Sequence, residues 1–240
     1  MEFVKENKVY SGEEFNEKYK EYEFYKLLRK DLTHYGYTYK DGLNVDVNEL
    51  NQKGGCSIGG LYFTEKNKIP MWMNAYSFIT KCFIPNDAKV CVGNNKFRSD
   101  KLIVDINNKV DIYDSLIWYD DLFCKMAVQQ DGCSLKYVKE QTEEICKLAV
   151  KHYGHALVYV KEQNEEICKL AVQQNGYALN YVKEQTEEIC KIAVNQYGYA
   201  LEFVKEQTEE ICILAVRQNR NALRYVKEKT KEICKLAVQL

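Results

Sequence analysis

Cysteine returns every 22 residues along the second half of the chain, at Cys124, Cys146, Cys168, Cys190, Cys212 and Cys234. Leucine keeps the same step at Leu135, Leu157, Leu179, Leu201 and Leu223, and no insertion breaks the period between residues 124 and 240. A fixed period of this length belongs to chains built from stacked copies of one supersecondary unit. The phrase KEQTEEICKLAV, beginning at Lys139, comes back with few changes at Lys161, Lys183, Lys205 and Lys227.

Each copy reads as two short helices. Thr142, Asn164, Thr186, Thr208 and Thr230 stand where an N-cap is needed, with a side-chain oxygen to accept from an orphan amide. Glu143 and Glu144 follow, placing negative charge at the positive end of the helix dipole. Ile145, Leu148 and Ala149 form an apolar stripe, and Glu143 and Lys147 make an i,i+4 pair on the wet side. Gly132, Gly154, Gly176 and Gly198 read as helix stops that require a left-handed backbone. A second helix is expected through HALVYVKEQ, burying Ala156, Leu157 and Val160. Isolated helices under about 12–15 residues are marginal in water, so a unit holds only by lying on its neighbours. The expected fold class is therefore an α+β domain over residues 1–119, followed by an all-α solenoid over residues 120–240. The solenoid would hold about five to six 22-residue two-helix repeats.

Comparing copies separates framework from variation. Lys136, Val158, Asn180, Glu202 and Arg224 occupy one position and differ in every copy. The next residue is always aromatic: Tyr137, Tyr159, Tyr181, Phe203 and Tyr225. Packing under the helix pair accounts for that column; as a row of flat anchors on the concave face it would also suit a peptide or helix. The cysteine column reads as small buried hydrophobes, because no Cys-x-x-Cys pair and no histidine column accompanies it; no metal site is expected. His152 and His155 occur in one copy and read as surface substitutions. From Arg217 onward there are seven basic residues, including Arg217, Arg220 and Arg224, against Glu228 and Glu232. A solvent-facing terminal repeat explains this; a contact for RNA or an acidic partner is the rival reading.

The first half lacks the period. KVCVGNN, DKLIVDIN and KVDIYD are short, β-rich segments bounded by Asn, Gly and Asp, and LYFT reads as another strand. EEFNEKYKEYEFYKLL reads as a helix. The glycine-rich KGGCSIGG lacks the lysine of a phosphate loop and leads into β-type residues, so loop geometry is its expected role. Trp72 and Trp118 sit in PMWMN and LIWYD, which read as buried apolar segments. The net charge of -1 gives no global field for nucleic acid or membranes. The charged amino terminus does not read as a signal peptide, and no membrane-spanning stretch is expected. Ten cysteines in such a chain are expected to be reduced, in a cytoplasmic setting.

Two resemblances add to this. YVKEQTEEICKLAV and NGYAL resemble the short helical repeats of mimivirus-like giant-virus proteins across residues 124–240. The series HYGYTYKDGLNVD, GGCSIGGLYFTE, IPNDAKV and NKFRSDKLIV, over about residues 24–106, is similar to the amino-terminal module that precedes ankyrin-type or other repeats in such proteins. The resemblance implies a cytoplasmic protein of a virus-infected cell or its viral factory. More distantly, the order THYG, DGLNVD, GGLYFTE is similar to ADP-ribosyltransferase motifs in which a histidine and a tyrosine bracket the nicotinamide ribose of NAD. That similarity points to His34 and Tyr62, although Tyr35 stands where a glycine is usual and no clear catalytic glutamate follows. The leading expectation is a non-enzymatic adaptor without a cofactor, binding viral or host proteins through the aromatic column and the basic last copies. An RNA-associated scaffold and an NAD-binding head are the alternatives.

Overall fold

The computed structural model describes residues 8–51, 58–93 and 96–239. Contacts divide the chain into two compact units, Met1–Trp118 and Tyr119–Leu240.

The first unit is built on an antiparallel sheet. Its strands are β1 (Val9–Ser11), β2 (Phe24–Leu28), β5 (Gly42–Val45), β6 (Leu61–Glu65), β7 (Phe78–Phe83), β8 (Lys89–Val92), β9 (Phe97–Ser99), β10 (Lys101–Val104) and β11 (Val110–Asp111). Their order is β1-β8-β9-β6-β2-β7-β10-β5, with β11 pairing β7. A separate hairpin joins β3 (Thr33–His34) to β4 (Tyr37–Thr38). The segments KVCV, KLIV, LYFT and VD are strands, in line with their β-type composition.

The segment from Glu13 to Leu28 departs from the expected helix. Only Gly12–Lys18 (α1) is helical, started by a capping box between Ser11 and Glu14. Phe24–Leu28 is instead a strand held between β6 and β7, with Tyr25 opposite Lys81 and Leu27 opposite Ile79. Two flanking strands satisfy its amides and carbonyls, and this tertiary pairing overrides the local helical pattern. α1 seats Phe15 in an aromatic cluster, 5.1 Å from Phe24 and 5.4 Å from Phe97 between ring centroids. Tyr10, Leu61, Phe63, Val90 and Leu102 extend that core.

The second unit repeats one motif. Helices α2 (Asp121–Gln130), α3 (Glu143–His152), α4 (Glu165–Gln174), α5 (Glu187–Gln196), α6 (Glu209–Gln218) and α7 (Lys231–Gln239) recur at the sequence period. Thr142, Asn164, Thr186 and Thr208 accept from the amides of Ile145, Ile167, Ile189 and Ile211, as the N-cap reading requires. The buried stripe of α3 is Ile145, Cys146, Ala149 and Val150, with Leu148 only half-buried. The second helix of each repeat is a six-residue 3-10 turn, such as Gly154–Tyr159, which buries Ala156 and Leu157 and ends at the extended Val160. So short a segment favours i→i+3 bonds, and its last carbonyls stay open for side-chain donors.

The repeat glycines do not adopt a left-handed backbone; among the described residues the positive-φ glycines are Gly36, Gly42, Gly59 and Gly60. Each repeat glycine opens its 3-10 turn against the next copy. A Cβ at Gly154 would lie 2.6 Å from the Ala171 carbonyl oxygen, and one at Gly176 would lie 2.5 Å from that of Ala193. Close approach between copies, not chain reversal, requires glycine here. Arg220 takes this position in the last copy; there Leu223 loses the full burial of its counterparts.

The near-invariant KEQ has a bonding role. Gln141 donates to the Leu135 carbonyl of its own copy and the Tyr159 carbonyl of the next, and accepts from the Lys161 amide. Gln163, Gln185 and Gln207 repeat the pattern. Lys161, Lys183, Lys205 and Lys227 each donate a side-chain ammonium bond to the carbonyl of the lysine 22 residues earlier. On the wet side Lys147 pairs with Glu143 of its own helix at 2.8 Å and Glu166 of the next at 2.7 Å.

Gly176→Ala and Gly176→Asn should lower the unfolding free energy alike, by about 1–3 kcal/mol, because overpacking is steric. A left-handed site would have tolerated asparagine; urea unfolding followed by circular dichroism separates the two cases. In the same assay Gln185→Ala should cost about 1–3 kcal/mol by leaving buried carbonyls unmatched. Lys191→Met should leave the unfolding midpoint almost unchanged, since its carboxylate partners are solvent-exposed.

Candidate functional site

The first unit contains a small cleft lined by Tyr25, Lys26, His34, Tyr62, Trp72, Tyr76 and Lys96, among others. Strand β2 carries Tyr25 and Lys26, the β3 strand carries His34, and β6 carries Tyr62. Trp72 joins two 3-10 turns, Lys66–Met71 and Met73–Ala75. The two residues singled out by the transferase resemblance meet here: the rings of His34 and Tyr62 are 5.3 Å apart. His34 Nε2 also shares a 3.0 Å hydrogen bond with the Tyr76 hydroxyl. Burial, followed by the positive charge of Lys26, Arg29 and Lys96, pushes the His34 imidazole down to about 3. It is therefore neutral near pH 7, able to accept or donate through one ring nitrogen but not to act as a cation.

Lys26 is the cleft's most unusual group. It is 2% exposed, donates to the Tyr62 carbonyl at 2.8 Å and lies 4.1 Å from the Tyr39 ring centroid. Burial lowers its ammonium to about 7. The thiol of Cys82, also buried, is pushed up. Lys96 reaches over the rings of Tyr62 and Trp72, at 4.7 Å and 5.2 Å. Sequence reading did not single out Lys26, Tyr76 or Lys96, and it placed Trp72 in the core rather than at a cleft wall. A signal for Lys26 was present: in FYKLL it falls on the same strand face as Phe24 and Leu28, which point inward. Trp118, by contrast, is fully buried, its indole donating to the Ile112 carbonyl.

The glycine-rich KGGCSIGG lies partly outside the described residues. Gly59 and Gly60, within them, have φ values of +97° and +114°. Loop geometry thus accounts for these two glycines.

On the solenoid, Tyr137, Tyr159, Tyr181, Phe203 and Tyr225 are all half-buried. Rings of the preceding copy rest on three of them: His155 on Tyr181, Tyr177 on Phe203 and Tyr199 on Tyr225, at 5.5–6.1 Å. His155 thus takes the place of an aromatic in the stack. Lys136, Val158, Asn180, Glu202 and Arg224 are exposed beside the column, and Arg224 lies over the Tyr225 ring at 5.0 Å. Arg217 and Arg220 are also exposed. Cys124, Cys146, Cys168, Cys190 and Cys212 are buried, and Cys146, Cys168, Cys190 and Cys212 each direct a thiol at the bridging glutamine of their copy, at 3.6–3.7 Å. Among the described residues no group of histidine, cysteine and carboxylate side chains could hold a metal ion. No helix of the described residues is long and apolar enough to cross a membrane.

Comparison with known proteins places these features. A family model described as a domain of unknown function (DUF4116) matches residues 142–186, 164–208 and 186–231. Each match covers two periods and starts one period after the last. Similar proteins include two of Acanthamoeba polyphaga mimivirus, both named as ankyrin repeat proteins. R868 is 35% identical over 66 residues, 27% of this chain and 33% of its own length. R896 is 30% identical over 105 residues, 40% of this chain and 32% of its own. The chain thus spans about a third of the length of these relatives, and is related to giant-virus repeat proteins. Its own 22-residue unit differs from the ankyrin unit of about 33 residues. No solved structure matches.

Lys26 fixes a pH dependence. Its ammonium titrates near 7 when folded and near 10.5 when unfolded, so between these values the unfolded chain binds more protons. The Lys26 contribution to the stability of the first unit should therefore rise as pH climbs from 7 to about 9, above which the buried Cys82 thiol, held un-ionised, acts in the opposite sense. Lys26→Met should stabilise that unit by about 2–4 kcal/mol at pH 6, with the gain fading toward pH 10. Both tryptophans belong to this unit, so their fluorescence during urea unfolding reads it selectively.

Proposed function

We propose that the solenoid is a non-enzymatic scaffold that binds a protein partner along the exposed column Lys136, Val158, Asn180, Glu202 and Arg224 and the aromatic residues beside it. One observation carries this reading. Side chains that recur with little change, such as the lysines and glutamines of KEQ, are engaged in bonds between copies, whereas the column that differs in every copy faces solvent. A surface that varies on an unvarying frame is the arrangement by which repeat proteins select partners. The half-buried rings supply flat apolar anchors beside it. The kinship with proteins named as ankyrin repeat proteins supports a binding role rather than catalysis.

Affinity capture from virus-infected amoebae tests the proposal. The full chain should retain a stoichiometric protein, and Val158→Asp combined with Glu202→Lys should reduce capture roughly tenfold without changing the helical signal. Absence of any stoichiometric protein, or its undiminished capture by the double variant, would overturn the scaffold reading. Recovery of RNA that Arg217→Glu and Arg224→Glu abolish would instead favour the basic last copies as a nucleic-acid contact.

A second reading concerns the cleft. The 5.3 Å approach of His34 and Tyr62, residues 28 apart in sequence, favours an NAD-binding head. Calorimetry with NAD decides it: heat that disappears in His34→Ala supports the reading, and no heat removes it.

A further inference from the structure

The cleft of the first unit has a charge pattern that neither reading uses. Its lining includes Lys26 and Lys96 and no aspartate or glutamate. Lys26 has three N–H donors, yet among the described residues it gives one hydrogen bond, to the Tyr62 carbonyl. Trp72, in the same lining, holds a buried indole N–H with no acceptor among the described residues. Buried donors left without acceptors are costly, and an isolated buried ammonium more so. The walls are aromatic: Tyr25, Tyr62, Trp72 and Tyr76, with the neutral ring of His34 edge-on to two of them. The described lining therefore leaves the Trp72 indole and part of the Lys26 ammonium unanswered, holds no carboxylate, and offers flat surfaces to a ring.

We propose that this cleft binds an aryl carboxylate, its ring against the tyrosine and tryptophan walls and its anionic group answering Lys26 and the Trp72 indole. The carboxylate supplies two acceptor oxygens and the missing charge. The proposal stands independently of both readings above. An NAD site could fail and leave it intact, and scaffold binding engages the other unit.

The charge requirement makes binding pH-dependent. Lys26 is an ammonium at pH 6 and mostly neutral at pH 9. The titratable groups that face it, His34, Cys82 and Tyr39, are neutral at pH 6 and stay so at pH 9, because burial holds the first low and the others high. Arg29 and Lys96 are the other cations acting on His34.

Benzoate and benzamide share size and ring and differ in charge, so they are the probes. The full chain carries two tryptophans, giving two indole N–H signals in a nitrogen-15 NMR spectrum. Benzoate at pH 6 should shift the Trp72 indole signal saturably, and benzamide should bind roughly tenfold more weakly. At pH 9 the preference for benzoate should shrink several-fold. Lys26→Met should abolish the preference while the Trp118 signal stays in place. Equal binding of the two probes, a preference that survives Lys26→Met, or no saturable shift with benzoate would overturn the assignment. Should Lys26→Met fail to fold, the pH dependence of the unaltered chain decides: a preference equal at pH 6 and pH 9 would overturn it.

Discussion

The glutamine amide that joins one copy to the next is the interaction on which the solenoid rests. Gln141, Gln163, Gln185 and Gln207 each close the end of their own 3-10 turn and reach the corresponding turn of the next copy. The 3-10 turn leaves carbonyls without helical partners, and buried carbonyls must be matched. One side chain matches two of them while its oxygen accepts a lysine amide and lies within reach of the cysteine thiol. Substitution at this position therefore disturbs two copies at once. Apolar contact alone would permit sliding; the amide geometry fixes the step between copies.

Charge and sterics reinforce that step where copies are intact and relax where they change. The ladder formed by Lys125, Lys147, Lys169 and Lys191 ties each helix to the first turn of the next. At the following position stands Ile213, so the rung is missing. Thr230 bonds to Glu209, the carboxylate that a lysine at position 213 would pair with. The next copy also has Lys229 in place of glutamine and Arg220 in place of glycine. Three framework positions thus change together, and the surrounding burial falls with them. Such concerted change is expected when a residue's partner sits in the neighbouring copy.

The amino-terminal unit obeys a different constraint. Its central strand β2 delivers Lys26 to the inner face of the sheet, among aromatic rings rather than carboxylates. An ammonium in that position loses much of its preference for the charged state. His34, a short distance away, is neutral for the same reason. The cleft thus holds polar groups whose protonation is governed by burial, which is the common condition of binding sites in apolar surroundings.

Much of the solenoid was legible in the sequence, because its period, caps and apolar stripe are local properties of about ten residues. The N-cap threonines, the burial of Ala156 and Leu157, the Glu143–Lys147 pair and the thiols as buried small groups all follow from short-range rules. The glycines did not: a residue with no side chain looks the same whether it needs a left-handed backbone or a close neighbour. Only the stacked copies reveal the Ala193 carbonyl 2.5 Å from a Cβ at Gly176. In the first unit, Phe24–Leu28 was hidden because sheet pairing is non-local, and the cleft residues lie on separate strands and turns between positions 25 and 96. The sequence alone determined that copies must stack, since each is too short to stand unaided. Tertiary structure decided how they join and which side chains meet, because those contacts run between residues that the chain keeps far apart.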